Sequence, residues 1–190
     1  MAARIMSRPR LEPPLDLTLA PRVLIGLLAE AIGNEGAARV CIALLAGADP
    51  GDFRVELDYL GGRPGRGVAE GTWRDYWART WGARGLRSVW VEEAAPVITA
   101  GLGDEHWRPA EMCLKVAALR EVGTAGDGAV LLTTHELPRV RANAVRTLGF
   151  VGDTEHVEAV ARVLDDPDLA VRRQAHRALE RLRQRLDLVD

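Results

Sequence analysis

Three segments of this chain, DEHWRPAEMCLKVAAL from Asp104, HELPRVRANAVRTLGF from His135 and DPDLAVRRQAHRALER from Asp166, superimpose at a constant offset of 31 residues. Pro109, Val140 and Val171 align, followed by Ala110, Arg141 and Arg172. Small residues then coincide at Cys113, Ala144 and Ala175, and two places on stand Lys115, Arg146 and Arg177. A further step of 31 backwards lands on Trp73, Ala78, Arg79, Gly82 and Arg84. A fixed period of this size is the mark of one supersecondary unit used repeatedly, and a unit that cannot bury its own apolar face must stack on its neighbours.

Within the repeated segment the apolar residues recur at three and four, as in Val171, Ala175, Ala178, Leu179 and Leu182, which predicts a helix with one buried stripe. Each is followed by a turn and a second apolar segment, over 92–102, 126–135 and 152–165. The predicted unit is therefore a helical hairpin, and the predicted fold an all-α solenoid (a superhelix). Gly152-Asp153-Thr154 supplies a stop glycine and then an N-cap oxygen. Asp166-Pro167 reads as a cap ahead of a proline at the first helical position. Upstream, 21–33 and 35–47 form another hairpin, and 49–62 begins a shortened unit. Its second half dissolves into GGRPGRGVAEGT, a predicted Gly/Arg loop over 61–72. The expected organisation is a loose, Pro-rich tail over 1–16, then one domain over 17–190. That domain is irregular over 17–72 and regular over 73–190, and the helix over 168–185 caps its end.

The segments DDPDLAVRRQAHRALERL and ELPRVRANAVRTLGFVGD resemble bacterial HEAT repeats of the short kind also called phycobilisome-lyase-like. The resemblance covers about residues 73–185. It implies a ladder in which an Asp six residues before the Arg of a Val-Arg pair links successive repeats. Asp166 with Arg172 fits that pattern, whereas His135 replaces the Asp before Arg141 and Ala110 replaces the Arg after Asp104, leaving the ladder imperfect. Architecture follows from such a likeness; activity does not.

Composition narrows the function classes. The 25 basic residues, Lys115 the one lysine among them, are offset by 27 acidic ones, for a net charge of −2. A chain that coats nucleic acid carries a basic excess to neutralise phosphates, so nucleic acid is not the expected partner. No apolar run approaches the length of a membrane span, and the N-terminus lacks a continuous apolar core, so a cytoplasmic protein is expected. Cys41 and Cys113 both fall within apolar helical patterns and read as small buried hydrophobes. The four histidines make no ligand spacing, and no P-loop, nucleophile-elbow or dinucleotide motif appears, so neither metal nor cofactor is expected.

Two surface features stand out. Trp73, Trp77 and Trp81 are spaced four apart, and the sister positions of Trp77 (Arg108, Arg139, Ala170) and Trp81 (Met112, Asn143, Gln174) are mostly polar. Trp77 and Trp81 are therefore candidates for an aromatic binding platform; the alternative is packing beneath the 61–72 loop. Trp90 and Trp107, near helix ends, suit filling a repeat junction. The second feature is a basic file of Arg84, Lys115, Arg146 and Arg177, at equivalent positions on stacked repeats. It could track an acidic peptide, or be a solvated face with partners such as Glu111 and Glu180. The cap helix adds a segment with six arginines against Glu180, which suits a polar solenoid end or an acidic partner.

The reading these features support is a non-catalytic scaffold or adaptor that binds a protein or peptide along one face, through Trp77, Trp81, Arg84, Lys115, Arg146 and Arg177. Two alternatives stay open. HEAT-like repeats also build alkylpurine DNA glycosylases, which use tryptophans and an acidic residue in a cleft, although Asp75 lies about 200° round a helix from Trp73 and Trp77. The lyase-like resemblance implies a chaperone for a tetrapyrrole-type cofactor. Oligomeric state is not legible.

Overall fold

The computed structural model describes residues 11–187, and every regular element among them is helical. The expected tail over 1–10 lies outside the described residues. Its continuation is not loose throughout: Leu11 packs against the core and the Tyr59 hydroxyl donates to the Glu12 carbonyl at 2.9 Å.

Eleven α-helices are described: α1 (Pro21–Ile32), α2 (Asn34–Leu45), α3 (Arg54–Gly61), α4 (Arg63–Ala69), α5 (Tyr76–Gly85), α6 (Ala94–Gly101), α7 (Trp107–Arg120), α8 (Gly126–Leu132), α9 (Pro138–Val151), α10 (Val157–Ala161) and α11 (Leu169–Arg185). They stack in two rows. One row is α3, α5, α7, α9 and α11, each packed on the next; the other runs α1, α2, α6, α8 and α10, joined partly through short 3-10 turns at Gly123–Ala125 and Thr154–His156. The all-α solenoid is the observed architecture. Its core runs along the seam as Leu28, Leu44, Leu60, Leu86, Ile98, Leu114, Leu148 and Leu182, all but inaccessible. Each such leucine or isoleucine contributes roughly 1.5–3 kcal/mol of transfer free energy.

The hairpin frame differs from the expected one. Each short helix packs chiefly on the long helix that follows it, α6 on α7, α8 on α9 and α10 on α11, not on the one before. A 31-residue period is silent on this choice, because either pairing repeats at the same interval. At the N-terminal end the order is nested: α1 and α2 come consecutively in one row, then α3 pairs with α1, and α5 pairs with α2.

That nesting needs a return segment between α3 and α5, which is where a loop over 61–72 was expected. Residues 63–69 instead form α4, packed on α3. Pro64 sits in its first turn, where the missing N–H costs nothing. Gly62 turns the chain at a φ of +61°, and a Cβ on Gly65 would lie 1.9 Å from the Leu57 carbonyl oxygen. These glycines are there for close approach and a left-handed turn, and their composition alone reads as a loop. α5 crosses α2 in the same manner, with Gly82 against the Cys41 carbonyl and Gly85 against the Cys41 sulfur. Burial pushes the Cys41 thiol up to about 12 and raises that of Cys113 as well, so both behave as inert hydrophobes.

The ladder is present with a different wiring. Arg79 grips Asp104 at 2.6 and 3.2 Å, and Arg141 grips Asp166 at 2.7 and 2.8 Å. Each rung joins the Arg of one repeat to the Asp of the next, 25 residues on. Within their own repeats Arg172 donates to the carbonyls of Asp166 and Pro167 and Arg141 to those of His135 and Glu136, while Arg79 pairs with the exposed Asp75 carboxylate. Ala110 and His135 are therefore the two ends of one rung, lost together, and no buried charge is stranded. His135 keeps the second duty of the position, its Nδ1 accepting from the Leu137 N–H as Asp104 accepts from His106 and Asp166 from Asp168. With Asp166 so engaged, the N-cap of α11 is Asp168, which accepts from the N–H groups of Ala170 and Val171. Asp153 caps the 3-10 turn after α9 as expected, in a reciprocal box with His156.

Candidate interaction surface

The long-helix row presents its helix N-termini along one edge and its C-termini along the other, and the two edges carry different chemistry. The N-terminal edge is aromatic. Trp73, Trp77 and Trp81 follow one another at centroid spacings of 6.2 and 5.6 Å, descending from surface to core. Trp73 is 47% exposed, Trp77 half-buried and Trp81 only 4% exposed. Trp81 is thus not a platform residue. Of its sister positions Asn143 reaches Glu111 on α7, whereas Trp81 packs on α3, which is short and ends at Gly61; a Cβ on that glycine would lie 2.6 Å from the indole ring. The ring fills the gap that a short helix leaves.

Trp77 belongs to a larger cluster. The Arg108 guanidinium lies over the rings of Trp107, Trp77 and Tyr76 at 4.3, 5.1 and 5.7 Å, and Arg139 over Trp107 at 4.8 Å. Tyr76 stacks on His106 with centroids 3.6 Å apart. Burial and the Arg108 charge hold the His106 pKa down, and its neutral Nδ1 caps α7 by accepting from the Arg108 N–H. Arg108 and Tyr76 are absent from the sequence-predicted set. The signal was available, because Arg108 is the sister of Trp77, but the repeat alignment compares equivalent positions and cannot show that they touch. Asp75 is separate from the rings: its carboxylate is exposed and pairs with Arg79 at 3.3 Å.

The basic file does not form one surface line. Lys115 pairs with Glu111 at 2.9 Å, a buried carboxylate that also receives Arg139 and the Asn143 amide. Arg84 is largely buried and donates to the Leu60 carbonyl at the end of α3, so it works as a structural cap rather than an exposed contact. Arg146 lies over the Phe150 ring at 5.1 Å, with Arg181 on the same ring at 4.2 Å. Arg177 is exposed on α11.

The C-terminal edge is strongly basic for a reason that the repeat supplies. Arg120 reaches the Leu86 and Arg87 carbonyls beyond α5, and Arg185 reaches the Gly152 carbonyl that ends α9. Each thus caps the preceding long helix with a cation at the negative end of its dipole.

Residues 127–188 match the family model for HEAT repeats. That segment is similar to HEAT repeats. It begins at the start of α8, in register with the observed short-then-long hairpin frame. Comparison with curated proteins and with solved structures found no match. Before residue 127 the Arg79–Asp104 rung and the packing of α5 on α7 repeat the stacking seen in the matched segment. No helix among the described residues is long and apolar enough to cross a membrane.

Proposed function

We propose that this protein is an interaction scaffold whose N-terminal edge of long helices grips a protein or peptide segment, with Trp73, Trp77, Trp107 and Arg108 as the anchors. HEAT repeats are commonly protein-interaction scaffolds. The observation that carries the reading is the Arg108 guanidinium held over three rings that remain partly open to solvent. Trp, Tyr and Arg dominate binding hot spots, because a rigid apolar face with a polar rim loses little entropy on contact. Fixed over its rings, Arg108 is also pre-organised for a carboxylate or a carbonyl of the bound segment.

Selection of binders from a displayed random peptide library tests this. Trp73→Ala and Arg108→Ala should each weaken the selected peptides by at least about tenfold, or about 1.4 kcal/mol. Arg177→Ala, on the exposed face of α11, should leave them unchanged. Peptides that bind both edge variants as tightly as the parent would place the scaffold's contact surface elsewhere.

A further inference from the structure

A cleft of about 540 Å³ opens at the other edge, between α1 and the C-terminal end of α5. Its polar wall is Arg22, Asn34, Arg84, Arg87 and Ser88, and its apolar wall includes Ile25, Ala29, Val89 and Leu119. No acidic residue lines it. We propose that this cleft is a binding site for a compact oxyanion, a phosphate group presented free or as a monoester. The proposal is independent of the peptide-binding reading, which uses the opposite edge.

Charge is the first reason. Arg22, Arg84 and Arg87 make no ion pair among the described residues, and the charge that bears on Arg84 is that of Arg87, another cation. Burial, then the charges of Arg181 and Arg87, likewise lower the pKa of Arg146. Burying a guanidinium beside like charges and without a counter-ion is costly, and an entering anion relieves that cost. The Arg84 Nε is buried and has no acceptor, although the same guanidinium donates to the Leu60 carbonyl. The guanidinium fork suits the oxygens of a phosphate, which can accept two parallel bonds.

Rigidity is the second reason. The segment carrying Arg87 and Ser88 is pinned by consecutive turns, with the N–H groups of Arg87 and Ser88 donating to the Arg84 and Gly85 carbonyls. Arg120 holds its carbonyls from α7, and the Asn34 side chain donates to the Trp90 carbonyl at 3.1 Å, leaving the Asn34 oxygen as an acceptor. The Ser88 hydroxyl adds a donor on the cleft wall. The backbone that carries the guanidinium pair is thus fixed, which lowers the ordering cost that opposes binding.

The apolar wall decides which source the phosphate has. A monoester carrying a ring would lay it against Ile25, Val89 and Leu119; free phosphate would ignore that wall. Calorimetric titration of the whole protein with inorganic phosphate and with phenyl phosphate, at a constant ionic strength set by chloride, tests the site. Saturable binding is expected for at least one of the two, with Kd of about 1 mM or tighter. Arg87→Gln and Arg22→Gln, both exposed changes, should each weaken it at least fivefold, while Arg177→Gln leaves it unchanged. Phenyl phosphate binding more tightly than phosphate supports a monoester ligand; equal affinities support the free oxyanion. Heats that fail to saturate by about 20 mM, or an Arg177→Gln loss equal to that of Arg87→Gln, would overturn the proposal and leave only a diffuse positive field.

Discussion

The two halves of this molecule solve one packing problem by different means. From α7 to α11 the repeats are close copies: the buried Glu111 of α7 receives Arg139 and Asn143 of α9, and Arg141 of α9 grips Asp166 ahead of α11. From α1 to α5 the order is nested, and the long-row members α3 and α5 are shorter than α7, α9 and α11. The seams there are closed by glycines that admit backbone or ring atoms, by Trp81 under Gly61, and by Arg84 on the Leu60 carbonyl. The buried polar atoms without partners among the described residues, Asp58 Oδ1 and Arg84 Nε, both belong to the irregular half. So does Trp73, the most exposed tryptophan, and so does most of the basic cleft. A regular array satisfies each local rule by copying a solution; an irregular junction leaves open groups, and open groups are where binding chemistry can sit.

Removing the device that closes the irregular seam should have the largest effect. Trp81→Ala leaves a cavity between α3 and α5 that those short helices cannot fill, with an expected cost of about 3–5 kcal/mol. For a chain of this length that lowers Tm by roughly 10 °C. The sister change Met112→Ala, at a half-buried site in the regular half, should cost much less. Acrylamide quenching of tryptophan emission gives a matching readout: Trp73→Phe should remove an accessible, red-shifted component, and Trp81→Phe a protected, blue-shifted one. Equal losses from Trp81→Ala and Met112→Ala would show the two seams to be equivalent.

Next in size is a rung of the regular half. Arg141→Met strands the Asp166 carboxylate, whose side chain is 6% exposed, at an expected cost of about 3 kcal/mol. Its pH signature separates this from lost packing. The Arg141 hydrogen bond holds the Asp166 carboxyl below the usual carboxylate value. On acidification the unfolded chain takes up this proton first, so the rung's stabilisation is complete above about pH 4 and drains away as pH falls toward the lowered folded value. In Arg141→Met the carboxylate loses its partner and its folded pKa rises, so the Tm deficit of the variant should be largest near neutral pH and shrink as pH falls below about 4, where the parent loses the rung. A deficit that stays constant across that range would mean that Asp166 is not the group Arg141 serves.

How much of this was legible depended on what a period can encode. The helical content, the solenoid and the cap at Asp153 follow from spacing and turn chemistry, which are local. Frame and neighbour identity are not local. The same 31-residue offset fits either hairpin pairing, and the resemblance to short HEAT repeats points to Asp166 with Arg172 by their spacing of six, which does not say which Arg the carboxylate meets. The true partner, Arg141, is 25 residues back, an interval that also separates Arg79 from Asp104. Trp81 looked out of frame beside Met112, Asn143 and Gln174, yet its environment is set by α3, which the alignment does not contain. Residues 63–69 read as a loop because glycine and proline mark both flexible chain and tight helix crossings, and only the Leu57 carbonyl beside Gly65 tells them apart. The aromatic edge was half legible: Trp77 from its spacing, Arg108 only from the stack.

The smallest net effect is expected where the regular half has lost a rung. If Ala110 and His135 are the two ends of one missing pair, the double change Ala110→Arg with His135→Asp should restore it at nearly parental stability, within about 1 kcal/mol, since a partly buried pair roughly balances its desolvation. Each single change should be worse. Ala110→Arg alone puts a cation where Ala110 is 2% exposed, and His135→Asp alone adds a carboxylate facing no partner. The diagnostic quantity is therefore the coupling in a double-mutant cycle, expected at about 1–3 kcal/mol in favour of the pair. Additive costs would mean that positions 110 and 135 do not meet as 79 meets 104 and 141 meets 166. Coupling of that size would show that the paired loss at Ala110 and His135 left the stacking geometry intact, with His135 retained for its backbone contact to Leu137.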